Sequence, residues 1–259
     1  MDPVGLPDAV AGDLPPQDSG GVFLIDKPAG PTSFAMVRGL RRVLGVKKVG
    51  HAGTLDPFAS GLLILCAGRP ATRLIPRFMH GDKEYLATLC LGVETTTLDP
   101  EGEVTNRCAV GRKDAAEIER VLAGFRGRLL QTPPAFSALK HKGKPLYHYA
   151  RRGITIVKEP RAVTISVLER TDDGQELIGD ECLLRLRVVC SKGTYIRSLA
   201  ADIGSTLGCG AYLQELRRTR SGCFSLDGSL SGDMLRTGDN RRQVLNAAIS
   251  VEEACNLLQ

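Results

Sequence analysis

The sequence of 259 residues lacks features that mark whole classes of protein. No apolar run approaches the roughly 18 to 20 residues that a membrane-spanning helix needs. Residues 1–20 contain four aspartates but no lysine or arginine, which is the opposite of the basic start of a secretory leader. We therefore expect a cytoplasmic protein with no membrane partner.

Signatures of metal and phosphate sites are also missing. The eight cysteines contain no C-x-x-C pair, and the four histidines are not spaced with them as zinc ligands are. Because the cysteines lie mostly within apolar segments, we interpret them as reduced core residues and predict no metal. No G-x-x-x-x-G-K-[ST] loop is present, which argues against phosphoryl transfer.

Residues 1–20 are rich in proline, glycine and aspartate and poor in aromatic residues. Such a segment cannot offset the entropy cost of ordering, so we predict a disordered acidic tail there. The whole chain is 42% hydrophobic and 24% charged, which is enough to bury a substantial core after this tail.

Apolar periodicity predicts where the folded elements lie. Apolar or alternating runs predict strands near residues 22–25, 62–66, 85–91, 162–170 and 182–190. Spacing of three and four residues predicts helices near 32–44, 113–125 and 194–207. Strands and helices in this order indicate an α+β fold with a mixed sheet rather than regular βαβ winding.

The net charge is +5, and the positive groups gather in three clusters, at residues 38–48, 140–152 and 217–220. Separated clusters suit a polyanion longer than a nucleotide, although each could be an ordinary solvated face. In residues 131–153 the cations Lys140, Lys142, Lys144, Arg151 and Arg152 are interleaved with aromatic residues. That mixture favours RNA binding by backbone neutralisation and base stacking, with a solvated hairpin or helix as the alternative.

One loop presents a carboxylate. The segment GHAGTLDP at residues 50–57 places His51 and Asp56 between glycines and a proline, just before an apolar run. Reactive groups are often held on such loops, but an aspartate before proline is also common turn chemistry, so the residues alone leave both interpretations open. In phosphatases that form an aspartyl phosphate, the aspartate precedes Gly-Thr, whereas here it follows.

Five motifs in order carry a resemblance: DKPxG at 26–30, GHAGTLDPxASG at 50–61, DKEY at 82–85, FSALK at 136–140 and CSKGTYIR at 190–197. Together they resemble the TruB family of bacterial tRNA pseudouridine synthases from about residue 21 to residue 218. The resemblance implies a mainly antiparallel mixed sheet flanked by helices, with a thumb-like insertion. It also implies isomerisation of uridine 55 in the tRNA T loop, without a cofactor.

The resemblance assigns catalytic roles to three residues. Asp56 matches the nucleophile, which attacks ribose C1′ or base C6 or assists elimination through a glycal; the sequence does not separate these routes. Arg197 matches the arginine that pairs with this carboxylate and keeps it ionised. Tyr85 matches the tyrosine that stacks on the extruded uracil, and it is also a candidate for proton transfer at C5, although a phenol is a poor base.

Further positions match substrate contacts. Tyr195 and Leu216 match residues that border the base, and His51 matches a histidine that contacts the rearranged T loop once the target nucleotide leaves the stack. Lys27 resembles a residue that seats the Asp56 loop, with a phosphate contact as a second expected role. Residues 131–153 resemble the thumb that closes over RNA, where the three lysines and two arginines above add salt-dependent affinity.

The resemblance also frames the domains and partners. We assign residues 21–235 to a catalytic domain and residues 236–259 to a short C-terminal segment, in which no full appended RNA-binding domain is expected. We expect a monomer that binds the T arm of tRNA. Ala52 and Ser60 stand where the family often has threonine, and the short C-terminus puts contacts to the acceptor end of tRNA in doubt.

Two alternatives remain at this point. The first is the same chemistry on another RNA or within a guide-RNA particle. The second is a tRNA-folding chaperone, because base extrusion and thumb closure do not themselves require turnover.

Overall fold

The computed structural model describes residues 20–258 except 138, 155, 157, 238 and 239, so the predicted tail at residues 1–20 lies almost wholly outside the described residues. The strands are β1 Gly21–Lys27, β2 Val49–Ala52, β3 Ser60–Ala67, β4 Lys83–Leu91, β5 Val93–Thr95, β6 Val104–Arg107, β7 Val110–Lys113, β8 Gly127–Gln131, β9 Lys140–His141, β10 Lys144–Pro145, β11 Arg161–Arg170, β12 Leu177–Gly179, β13 Cys182–Cys190, β14 Ala211–Ser221, β15 Phe224–Ser225 and β16 Leu230–Ser231. The helices are α1 Ser33–Leu44, α2 Gly68–Arg73, α3 Ile75–Phe78, α4 Ala115–Gly124, α5 Leu146–Ala150, α6 Ile196–Thr206, α7 Met234–Thr237, α8 Arg241–Asn246 and α9 Val251–Asn256.

One large sheet organises the described part of the chain. Its strand order is β16-β1-β3-β14-β4-β13-β11-β8, with β2 also pairing β3 and β15 also pairing β14. Only the β1–β16 and β3–β14 pairs in this sheet are parallel. The predicted α+β fold with a mixed, mainly antiparallel sheet flanked by helices is therefore confirmed.

Side-chain alternation on β1 and β3 separates two hydrophobic clusters. Phe23 and Leu63 point into the larger cluster, which includes apolar residues of α1, α4 and α6. Val22 and Leu62 point into a smaller cluster on the opposite face, together with residues from α2, α3 and α9. The sheet is thus covered on both faces along β1 and β3, and both strands are almost wholly buried.

The start, the end and the buried face of helix α1 all follow from its sequence. Its first turn is capped by the Thr32 side chain, which accepts a hydrogen bond from the Ala35 N–H, and it ends at Gly45 with φ +72°. Val37, Leu40 and Val43 form the buried stripe that the spacing predicts. The first turn of this helix lies beside the Asp56 loop, so its start determines how that loop is held.

The structure corrects part of the three-cluster interpretation of the positive charge. In the first cluster, Arg41 donates to the Val49 carbonyl and Arg42 to the Leu235 carbonyl. In the third cluster, Arg217 pairs with Asp26 and Arg218 is buried. The arginines of β14 therefore have internal partners, whereas Arg38, Lys47 and Lys48 of the first cluster stay exposed, as do the cations of residues 140–152.

Within the described residues, no helix combines the length and apolar character needed to span a bilayer.

Candidate active site

The Asp56 loop connects β2 to β3 and is fixed from helix α1. The Ser33 hydroxyl donates to the Leu55 carbonyl at 2.8 Å and accepts from the Leu55 N–H at 2.9 Å. The Pro57 carbonyl accepts from the Gly30 N–H at 2.8 Å. Asp56 lies between these two anchored residues, so the loop backbone holds its side chain in one place.

Lys27, at the end of β1, holds this loop through hydrogen bonds to backbone carbonyls. Its side chain is fully buried, and its Nζ donates to the carbonyls of Pro28, Pro31 and Pro57 at 2.8, 2.7 and 3.1 Å. Burial lowers its pKa to about 8. Three carbonyls occupy the donors of Lys27 and its side chain is buried, so the geometry supports its role in seating the loop, and the phosphate contact stays a prediction.

Arg197 joins two carboxylates. Its Nε lies 3.0 Å from Asp56 Oδ2, and its Nη1 lies 3.1 Å from Asp99 Oδ2. The guanidinium also donates to the carbonyls of Thr97 at 2.9 Å and Phe136 at 2.7 Å. Since partners surround the group and its side chain is only 6% exposed, its orientation is fixed. The Asp56 side chain is 38% exposed and faces a cavity.

Burial raises the pKa of Asp56 above its ordinary value. The Arg197 guanidinium opposes this rise through its charge and its hydrogen bond, whereas the Asp99 carboxylate adds to it. The net direction is upward. Arg197 therefore favours the ionised carboxylate, as the sequence predicts, but offsets only part of the desolvation penalty.

A cavity of about 290 Å³ opens in front of this carboxylate. Asp56, Arg197, Tyr85, Tyr195 and Leu216 all line it, although they come from the β2–β3 loop, α6, β4, the cap of α6 and β14. The sheet brings these distant segments together because β4 and β14 are neighbours. The structure thus assembles five of the predicted catalytic and base-contacting residues around one cavity.

Both tyrosines remain protonated at neutral pH. Burial raises the pKa of Tyr85, and the charge of Arg218 opposes that rise. Burial likewise raises the pKa of Tyr195. A phenol held neutral is a poor general base, so the geometry fits Tyr85 better to a stacking role than to proton abstraction.

His51 lies outside this set of lining residues. It sits on β2 opposite Leu65, is half-buried, and its Nδ1 is buried without a hydrogen-bond partner among the described residues. Burial, followed by the positive charge of Arg218, lowers its pKa. His51 is therefore a neutral group beside the loop rather than part of the cavity wall.

The predicted thumb lies between β8 and β11, and its base reaches the active site. The Gln131 side chain donates to the Tyr195 carbonyl at 3.0 Å and accepts from the Tyr195 N–H at 2.8 Å. Ser137 lines the cavity, and the Phe136 carbonyl accepts from Arg197. The residues that enter the thumb thus contact the same arginine that orients Asp56.

Further along the thumb, β9 and β10 form a small hairpin with Lys142 and Gly143 at its tip. The predicted RNA-binding residues Lys140, Lys142, Lys144, Arg151 and Arg152 are all exposed. The Arg151 guanidinium lies 5.5 Å from the centre of the Tyr147 ring, and that side chain is 42% exposed. This surface therefore offers both positive charge and an aromatic face to solvent.

Sequence reasoning missed three residues of the site. Asp99 is buried in the turn after β5, Lys83 opens β4, and Arg218 was assigned only to a basic cluster. A signal exists for Asp99, because Asp-Pro at 99–100 repeats the turn pattern of Asp56-Pro57. Its pairing with Arg197 depends on tertiary structure, since the two are far apart in the chain.

The arrangement defines a chemistry. A half-exposed carboxylate, oriented by a buried guanidinium, faces a cavity with a tyrosine ring in its wall, which suits nucleophilic attack on a planar ring system or its attached sugar. Among the described residues, no group of three or more histidine, cysteine, aspartate or glutamate side chains is arranged to hold a metal.

Two family models together match most of the chain. Residues 41–196 match the model described as TruB family pseudouridylate synthase (N terminal domain), and residues 197–249 match that of the tRNA pseudouridylate synthase B C-terminal domain. The boundary between them falls at the start of α6. It does not divide the sheet, because β14 pairs with β3 and β4 from the other side of the boundary.

Relatives cover almost the whole chain. The tRNA pseudouridine synthase B of Desulfotalea psychrophila is 56% identical over 239 residues, which is 92% of this chain and 97% of the relative. That of Protochlamydia amoebophila is 46% identical over 232 residues, covering 89% and 85% of the two chains.

Solved structures share the fold. The structure titled "Crystal Structure of a Cbf5-Nop10-Gar1 Complex" matches with a TM-score of 0.67 and 29% identity over 92% of this chain. An H/ACA RNP bound to a substrate RNA containing 2'-deoxyuridine matches with a TM-score of 0.65 and 27% identity, again over 92%. This chain spans about three fifths of each of those chains, at 62% and 61%.

Proposed function

The chain belongs to the TruB family and is an isomerase that makes pseudouridine in tRNA, and from this premise we propose that it modifies uridine 55 of the T loop with Asp56 as nucleophile. The observation that supports this assignment is the Asp56–Arg197 pair at 3.0 Å, placed at the wall of a cavity that also contains Tyr85.

Isomerisation breaks the bond between ribose C1′ and base N1 and forms a bond between C1′ and C5, after which C5 loses its proton and N1 takes up a proton. No oxidation or outside group transfer is involved, so side chains can supply what the reaction needs. Asp56 attacks C1′ or C6, or removes a ribose proton on the way to a glycal. In each route the carboxylate must be ionised, which is the form that Arg197 favours.

The base must leave its stack to reach Asp56. The cavity of about 290 Å³ is bordered by Tyr85, Tyr195 and Leu216, which provide a flat apolar surface for an extruded uracil. The lysines of the β9–β10 hairpin and the two arginines after α5 neutralise backbone phosphates of the T arm. Phe136 links the proposed RNA-binding insertion to the catalytic pair, because its carbonyl accepts a hydrogen bond from Arg197.

The test uses an unmodified tRNA transcript under single-turnover conditions. We expect Asp56→Ala to slow pseudouridine formation by about 10³-fold or more, because the nucleophile is removed, while the dissociation constant for tRNA changes by less than about twofold. Asp173→Ala, at an exposed turn, is the matched control and retains the wild-type rate.

Two substrates define the target. A transcript with cytidine at position 55 remains unmodified if the proposal is right, and an isolated T-stem minihelix is modified. Wild-type turnover of the cytidine-55 transcript would place the target elsewhere. A wild-type rate for Asp56→Ala would reject the nucleophile.

A further inference from the structure

Strand β14 places two adjacent arginines on opposite faces of the sheet. Arg217 points to the partly open face and pairs with Asp26 through Nη1 and Nη2 at 3.0 and 2.7 Å. Arg218 points to the other face, where it lines the uridine cavity and is only 2% exposed. A fully buried arginine needs a physical reason, since a charge is costly to desolvate.

Arg218 is tied to the loop that carries Asp56. Its Nε donates to the Leu62 carbonyl at 2.8 Å, and its Nη2 donates to the Gly53 carbonyl at 2.9 Å. Gly53 lies three residues before Asp56, at φ +75°, and a Cβ there would lie 3.2 Å from Arg218 Nη1. The guanidinium therefore packs directly against the start of the catalytic loop.

The backbone of Arg218 is equally constrained. It is opposite Tyr85 on β4 and opposite Gly61 on β3. A Cβ at Gly61 would lie 2.3 Å from the Arg218 carbonyl oxygen, so glycine is required for β14 to approach this closely. Arg218 thus joins the catalytic loop, β3 and the Tyr85 strand at one point.

The charge of Arg218 is not neutralised locally. Arg197 pairs with two carboxylates and Arg217 with one, whereas in the described part of the chain no carboxylate lies at ion-pair distance from Arg218. Its field acts on neighbouring groups: it opposes the rise in the pKa of Tyr85 and contributes to the lowered pKa of His51. The nearby Lys83, also buried, adds a second positive group at this wall, where its Nζ is held by the Met79 carbonyl at 2.7 Å.

The two walls of the cavity therefore carry opposite net charge. At one wall, Asp56 and Asp99 share Arg197, which leaves an excess of one negative charge. At the other, Arg218 and Lys83 are positive. All three routes to pseudouridine put negative charge on the uracil ring: breaking C1′–N1 leaves the bonding pair on the base, and attack at C6 moves the C5=C6 pair toward O4. A fixed positive charge near the ring favours either outcome.

We propose that Arg218 is a positioning residue that holds the Gly53–Asp56 segment against the Tyr85 strand and keeps the base-facing wall of the cavity positive. The proposal rests on the proposed uridine pocket and adds the source of its polarity. Removing Arg218 loosens the catalytic loop and removes charge that is favourable only once the ring becomes anionic. The chemical step is affected, and tRNA binding is not.

The experiment compares Arg218→Met, Arg218→Lys and the matched control Arg217→Met under saturating enzyme. We expect Arg218→Met to lower the single-turnover rate by about 10²-fold, with the tRNA dissociation constant within about twofold of wild type. Arg218→Lys keeps the charge but loses the paired hydrogen bonds, so it recovers part of the rate, to about tenfold below wild type. Arg217→Met retains the wild-type rate, because its side chain faces away from the cavity.

A second readout separates charge from general destabilisation. Histidine resonances followed by NMR should show a higher pKa for His51 in Arg218→Met than in wild type or in Arg218→Lys, since the nearby cation is absent only in the first. If Arg218→Met does not fold, Arg218→Lys decides, and a wild-type rate in that variant overturns the proposal.

Rate losses that disappear at higher enzyme concentration would also overturn it, because they would show a binding role. The rates of wild type and Asp56→Ala are measured in the same experiment. If only the Arg218 proposal fails, Asp56→Ala is still much slower than wild type; if the nucleophile assignment fails, the two rates are equal.

Discussion

Asp56 and Asp99 share the guanidinium of Arg197, and the charge of Asp99 influences the ionisation of Asp56. Asp99 is held by the Arg197 Nη1 and by the Glu101 N–H at 3.0 Å, and its side chain is 3% exposed. Its charge raises the pKa of Asp56 while its contact orients Arg197. The buried Asp99 therefore influences both the position and the acidity of Asp56, the residue that we propose as the nucleophile.

This coupling predicts a change in pH dependence for Asp99→Asn. If Asp56 is the nucleophile, we expect the wild-type rate to fall about tenfold per pH unit below its raised pKa, because only the ionised carboxylate would attack. Without the Asp99 charge the pKa of Asp56 falls, so the acidic limb should move to lower pH. The plateau rate should drop by about tenfold or more, because Arg197 loses a charged anchor. Single-turnover rates measured from pH 4 to 8 check both, and an acidic limb that moves upward or stays in place contradicts the coupling.

Among the elements, three helices and five strands of the large sheet could be predicted from the sequence, whereas β14, one of its two middle strands, could not. The apolar spacing predicts α1, α4 and α6 and strands β1, β3, β4, β11 and β13 to within a few residues. Strand β14 was missed, because its second half reads as a polar surface segment, with Arg217, Arg218 and Arg220 close together. Arg217 pairs with Asp26 on β1 and Arg218 donates to the Leu62 carbonyl on β3, contacts that no local pattern can show.

The exposed lysines of the β9–β10 hairpin are expected to bind the tRNA backbone. Replacing Lys140, Lys142 and Lys144 by alanine should weaken tRNA binding and reduce the slope of log K against log salt by about 2 to 3, if each lysine neutralises one phosphate. The single-turnover rate at saturation should stay near wild type, since none of the three contacts Asp56.

The matched control for this triple variant replaces Arg107, Arg112 and Arg120, which are also exposed but lie on β6, β7 and α4. It removes the same charge from the protein. An equal loss of salt dependence in both variants would show that overall charge, and not the hairpin, attracts the RNA.

Across the whole molecule, the C-terminal residues complete the core. Val22 on β1 exchanges two backbone hydrogen bonds of 2.9 Å with Ile249, and helix α9 begins with a capping box between Ser250 and Glu253. Ala254 on this helix is fully buried against the smaller hydrophobic cluster. The segment predicted as a short C-terminal addition thus packs against the first strand of the sheet.

The substitution Ala254→Asp tests whether the packing of α9 against the smaller hydrophobic cluster stabilises the fold. A buried, unpaired carboxylate should lower the free energy of unfolding by about 3 kcal/mol, measured by urea denaturation. Asn256→Asp adds the same charge to an exposed position of the same helix and should change it by less than about 0.5 kcal/mol. The single-turnover rate of Ala254→Asp, measured where it is folded, should match wild type. A slower rate would connect this helix to the active site.

Site residues that belong to a recognisable motif could be predicted from the sequence. Contacts that depend only on tertiary packing could not. Asp56, Tyr85, Tyr195 and Arg197, which belong to the ordered motifs, lie around one cavity together with Leu216, which the wider resemblance predicts. The burial of Lys27 and the contacts of Asp99 and Arg218 follow from which carbonyls and carboxylates the strands bring together. These contacts depend on register, which five short motifs do not specify.

The insertion leaves the sheet after Gln131 and returns at Arg161, and these two residues are hydrogen-bonded neighbours on β8 and β11. Their Cα atoms are therefore only about 5 Å apart. We therefore expect that residues between these two positions can be replaced without shifting β8 or β11, provided that a carbonyl remains where Phe136 accepts from Arg197. Sequence changes within the insertion would then alter its exposed basic surface while the strand pairing beneath it stays the same.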